Sequence, residues 1–180
     1  MLEHASSHIG RHRWITTFTL AACVAMSGCS KPANEPVPAK QIAQTPAESK
    51  PTVGGDGSEI RLDALTSEDV ATAGIYGELA CSFSAGGPQP ILLAMGAVDS
   101  DDPAQGVVKV AGYVERVASP GGYDGMLDAA VFTGKGKTVK VDVTGESIGE
   151  GESPPRPATL TYMRADGASR SFDGFWQCGP

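Results

Sequence analysis

Four sets of side chains have types and spacing that could do chemistry. Gly134-Lys135-Gly136-Lys137-Thr138 has the glycine, lysine and hydroxyl of a phosphate-binding loop. That loop also requires a glycine separated from Gly136 by four residues, a position held by Val131, and a helix must follow it. The residues after Lys137 alternate as a strand does, so the segment reads as a hairpin turn. Asp99-Ser100-Asp101-Asp102 offers oxygen ligands for calcium. An EF-hand register starting at Asp99 needs glycine at its sixth position and glutamate at its twelfth, which are Ala104 and Val110. It reads as a solvated turn ended by Pro103. Glu78 and Glu115, expected on the more polar faces of strands, are the one carboxylate pair open to glycoside hydrolysis, which needs two acids a defined distance apart. Met95, Met126 and Met163 could bind a soft metal, but scattered methionines more often fill a core. No catalytic residue, cofactor site or metal site is assigned.

The residues that are missing narrow the chemistry further. His4, His8 and His12 are the only histidines, all inside the first 28 residues. Histidine is the side chain whose unperturbed pKa suits proton transfer near neutrality. Residues 29–180 therefore offer no Ser-His-Asp triad, Cys-His pair or histidine-bearing zinc site.

The elements that would position these residues are mostly strands. In Ile75 to Phe83 one face carries Ile75, Gly77, Leu79, Cys81 and Phe83, and the other Tyr76, Glu78, Ala80 and Ser82. The last segment sets Phe172, Gly174, Trp176 and Cys178 against Ser171, Asp173 and Gln177. Both cysteines thus fall on apolar faces, where a core disulfide belongs, and no C-x-x-C spacing suggests a redox pair. Cys81 and Cys178 are expected to be bridged. Thr138 to Thr144 alternates cleanly; Val107 to Val117, Ala158 to Arg164 and Met126 to Phe132 read as further strands. Ile91 to Val98 is apolar on both faces and reads as central, while Asp166-Gly167 marks a hairpin. Thr66-Ser67-Glu68-Asp69 starts a short helix near Ser67 to Ala73, stopped by Gly74. These elements predict a mainly β fold: a single small antiparallel β-barrel or β-sandwich with one short helix, closed by a disulfide.

Ahead of this domain the chain is organised for export. Arg11 and Arg13 precede an apolar run from Trp14 to Met26, shorter than the roughly 20 residues that span a bilayer. Met26-Ser27-Gly28-Cys29 resembles the lipobox of bacterial lipoproteins: a bulky apolar residue, two small residues, then cysteine. The resemblance covers residues 11–29. It implies that residues 1–28 are a signal peptide and that Cys29 carries diacylglycerol and, on its new N-terminus, a further acyl chain. More than one chain is what stable anchoring requires. Cleavage after Ser27, with Ala25 and Ser27 as the small residues, would instead release a soluble secreted protein. Ser30 stands where Asp is the inner-membrane retention signal of enteric bacteria, so the resemblance implies the outer membrane, with the domain facing the periplasm. Residues 29–57, rich in Pro, Ala, Lys, Glu and Gln, read as a disordered tether, and residues 58–180 as the domain.

The chain's formal net charge is −7; without residues 1–28, which carry Arg11, Arg13 and Glu3, it is −8. Nucleic acid and anionic membrane surfaces repel such a chain. The expected contacts are the membrane through the lipid and an envelope or secreted protein. Two loops are candidate contact surfaces: Ser119 to Gly125, presenting Tyr123 and Asp124, and the acidic, proline-rich Glu146 to Pro157. Function is expected to be that of a cell-envelope lipoprotein whose non-enzymatic β-domain binds a partner or has a structural role. The alternatives are a carboxylate-dependent hydrolase of cell-wall glycan and a module like the small β-barrel lipoproteins that inhibit lysozyme. The last resemblance is architectural, a cysteine near each end of a β-domain, without the Trp-x-x-Gly-x-x-Ala kind of segment expected there.

Overall fold

A computed structural model describes residues 49–180. Eight of its strands form a closed antiparallel barrel in which neighbours in sequence are neighbours in space. They are β2 (Leu79–Ser84), β3 (Leu92–Gly96), β4 (Ala104–Val110), β5 (Tyr113–Ser119), β6 (Ala129–Gly134), β7 (Lys137–Val143), β8 (Arg156–Arg164) and β9 (Ser169–Gly179). The last strand pairs back with the first, Cys81 opposite Cys178 and Phe83 opposite Trp176, and this pairing closes the barrel. The Cys81–Cys178 disulfide crosses that seam. A ninth strand, β1 (Leu62–Asp63), lies beside the end of β4, and α1 (Ser67–Ala73) packs outside the wall. Of the barrel and the sandwich that strand patterning allows, the structure is the barrel.

Alternation decides what fills it. Cys81, Phe83, Leu92, Ala94, Val108, Val117, Phe132, Val139, Val141, Leu160 and Trp176 all point inward and are buried. Eight strands leave an interior just wide enough for side chains. Leu65, Ala73 and Val107 form a second, outer cluster with Val70, Leu93 and Val114 around them. That cluster explains why the β3 and β4 segments are apolar on both faces: the inner face meets the core and the outer face meets α1. Thr66 caps α1 as expected, its hydroxyl accepting from the Asp69 amide at 3.2 Å while the Asp69 carboxylate accepts from the Thr66 amide at 2.9 Å.

Four sequence expectations need correction. Val107 to Val117 is not one strand but the β4–β5 hairpin, turned by Ala111 and Gly112 at φ 47° and 87°. Apolar residues on both faces conceal the break, and only the glycine, free to adopt positive φ, marks it. Met126 belongs to a 3-10 turn, Asp124–Met126, and β6 begins at Ala129. The first barrel strand, β2, starts at Leu79 rather than Ile75, because Ile75 packs with the helix cluster. Finally, the end of the proposed tether is bound to the barrel. Val53 pairs with Ser169, Lys50 N donates to Ser171 O at 3.2 Å, and Ile60 N donates to Thr52 Oγ1 at 2.8 Å.

Both mouths are filled. One, here the hairpin end, carries the turns 111–112, 135–136 and 165–168. Residues 49–60 cross it as a strap, and Ile60 joins the core with 2% of its surface exposed. Arg170 clamps the strap, donating to Ile60 O at 2.6 Å, Glu59 Oε1 at 2.7 Å and Lys50 O at 2.9 Å. Arg164 does the same through Ser58 Oγ at 2.6 Å and Asp56 Oδ1 at 2.8 Å. The other mouth, the loop end, is stoppered by Met126, whose carbonyl accepts from Trp176 Nε1 at 2.8 Å. Phe132 meets Trp176 edge-on there, ring centroids 6.5 Å apart. Gly96 permits the closure, since a Cβ on it would lie 2.5 Å from Tyr123 N.

Candidate functional site

With the interior filled, the candidate site is on the outer surface, and its chemistry concentrates at the loop end. Four segments meet there: 74–78 leading into β2, and the loops 97–103, 120–128 and 144–155. They are braced against one another. Val98 N donates to Glu78 Oε2 at 2.8 Å, Asp99 N to Asp124 Oδ2 at 2.8 Å, and Tyr123 N to Ala97 O at 2.9 Å. Arg156 donates to Asp128 Oδ1 at 2.7 Å, and within the last loop Ile148 N donates to Pro155 O at 2.8 Å. Gln177 Nε2 ties that loop to β9 through Ser153 O at 2.8 Å.

The exposed side chains of these segments are of two kinds. Tyr76, Val98, Leu127 and Ile148 are apolar and exposed, Tyr76 by 74%. Glu78, Asp99, Asp101, Asp102, Asp124, Asp128, Glu146, Glu150 and Glu152 are acidic, all nine exposed, and the four segments contain no lysine or arginine. The nearest base in sequence, Arg156, is paired with Asp128. A groove of about 380 Å³ opens beside Tyr76, lined also by Gly96, Ala97, Asp102, Pro103 and Gln105.

The residues singled out in the sequence fall as follows. Tyr123 and Asp124 are at this end, but the Tyr123 ring packs partly against the core and Asp124 is a loop brace; the aromatic presented to solvent is Tyr76. The signal for Tyr76 was its place on the polar face of its segment, which the strand expectation masked. Glu78 and Glu115 are not brought together. Glu78 braces the loop end, whereas Glu115 sits opposite Val108 on the inner face of the barrel, near the hairpin end. Its Oε2 lies 2.6 Å from Lys137 Nζ, off the line of a hydrogen bond, and has no other partner among the described residues. Burial, and after it the Glu115 charge, pushes the neighbouring Tyr162 phenol up to about 12. Met95 and Met163 lie on strands β3 and β8, while Met126 is fully buried in the stopper. The Gly134–Thr138 segment is the β6–β7 hairpin, with Gly134 opposite Lys137. Among the described residues no group of three or more His, Cys, Asp or Glu side chains is placed to hold a metal ion. Cys29 and the lipobox lie outside the described residues.

Fold and site together define a filled, disulfide-closed meander barrel with one acidic, apolar-studded end. No family model, curated protein or solved structure matches the chain.

Proposed function

We propose that the protein is a cell-envelope lipoprotein, anchored through a lipid on Cys29, whose barrel is a non-enzymatic binding module. The single observation that carries the reading is the polarity of the domain. The strap from the N-terminal side enters and seals the hairpin end, and the loop end opposite is left with exposed apolar side chains. A module tethered at its N-terminal side leaves that end free to meet a partner. The filled interior supports surface binding over enclosure of a small ligand. The lipobox resemblance and Ser30 favour the outer membrane, with the domain in the periplasm. Mass spectrometry of the protein extracted from the envelope of a bacterial host tests the anchor. Acylated Cys29 at the mature N-terminus is expected, with a Cys29→Ser chain no longer in the membrane fraction. An unmodified N-terminal peptide beginning at Gly28, recovered from culture supernatant, would refute it.

A further inference from the structure

We propose that the loop end is a docking face for a cationic protein, one presenting lysine and arginine side chains around an apolar centre. The inference rests on the binding-module reading and names the chemistry of its partner. Two independent features coincide at this end. The first is apolar: four of the seven exposed large hydrophobic residues, Tyr76, Val98, Leu127 and Ile148, stand on the four segments described above. Tyr76 stands beside the 380 Å³ groove. Protein interfaces likewise combine apolar and aromatic contacts with polar ones.

The second feature is charge. The four segments hold nine acids and no base, while the rest of residues 49–180 holds nine acids and ten bases. All of the domain's net negative charge therefore comes from one end. Charge that served only solubility would be interspersed over the surface. A field of one sign over a single face steers and selects a partner of the other sign. Of the nine, Asp128 is in an ion pair and Glu78 and Asp124 brace loops; the other six form no ion pair among the described residues. The braces hold the face in shape before any partner arrives, which reduces the ordering cost of binding.

Site-specific photo-crosslinking of the full chain in its own envelope tests this. A crosslinking amino acid is placed at position 76 or 148 on the loop end, at 131 on the barrel wall, or at 113 on the hairpin end, and adducts are identified by mass spectrometry. Positions 76 and 148 should capture a protein of net positive charge, and 131 and 113 should not. The yield should fall at least about fivefold in an Asp101→Asn/Asp102→Asn/Glu150→Gln/Glu152→Gln chain, but not in a Glu68→Gln/Asp173→Asn control. Thermal melts of each variant separate a lost contact from a lost fold. An acidic or neutral partner, insensitivity to the loop-end neutralisation, or adducts only at 131 or 113 would overturn the docking face and leave the binding module standing. Adducts at no position would take down both.

Discussion

Opening the Cys81–Cys178 bridge should cost the domain much of its stability. The bridge joins residues 97 apart in sequence, so it withholds loop-closure entropy from the unfolded chain worth roughly 4.7 kcal/mol on the chain-entropy model. Removal of native disulfides from small secreted domains costs about 2–5 kcal/mol, which brackets that figure. The position adds a structural reason. Every other barrel pairing joins consecutive strands, whereas β2–β9 alone brings the two ends of the barrel together. Total stabilities run about 5–15 kcal/mol, so the reduced barrel should remain folded but marginal. For a domain of this size the loss corresponds to a melting temperature lower by about 17 °C on the full figure and by about 7 °C at the bottom of the range. The assay is calorimetry on protein refolded from denaturant with and without reductant, so that the bridge is closed throughout one sample and open throughout the other. Amide exchange should quicken first at Ala80–Ser84, the β2 side of the seam. A difference below about 3 °C between the two forms would refute the reasoning, since the unfolded chain would then be as restricted without the bridge as with it.

Other outcomes follow from the two mouths. A chain beginning at Ser58 lacks the three backbone bonds to β9 and the Asp56–Arg164 pair; compared with one beginning at Ser49 it should lose about 2–4 kcal/mol in denaturant titration. Trp176→Phe keeps the edge-on ring but leaves the buried Met126 carbonyl unpaired, and its denaturant midpoint should reflect a loss of about 1–3 kcal/mol at unchanged m. The strap also carries an acid dependence. Ser58 hydroxyl and amide, then Arg164, hold Asp56 at about 2, and Arg164 lowers Asp166. A carboxylate with a depressed folded pKa stabilises above its unfolded value and loses that contribution as pH falls through the folded one. Melting temperature should therefore drop as pH falls from about 4 towards 2, and less steeply in Arg164→Gln; equal slopes would remove the strap from the acid response.

Local chemistry determined a good part of this protein. The Thr66 capping box and Gly74 place α1, Asp166-Gly167 places the last hairpin, and alternation puts Cys81, Phe83, Phe172 and Trp176 inside; each depends on residues within a few positions. The cysteine pair followed from parity, once Cys23 and Cys29 are assigned to the signal and the lipid, and the faces of two strands supported it without knowledge of how they meet. Tertiary structure alone decided that β9 returns to β2 and so makes a barrel, because that pairing joins residues nearly a hundred apart. It alone turned the apolar outer faces of β3 and β4 into a seat for α1, which had hidden the Ala111-Gly112 turn. It also separated Glu78 from Glu115 and drew Ser49–Gly57, polar enough to read as tether, onto two arginines of β8 and β9. The loop-end face belongs to the same class. Nine acids spread over segments from 74 to 155 look like ordinary surface charge until an antiparallel meander delivers every second connection to the same end.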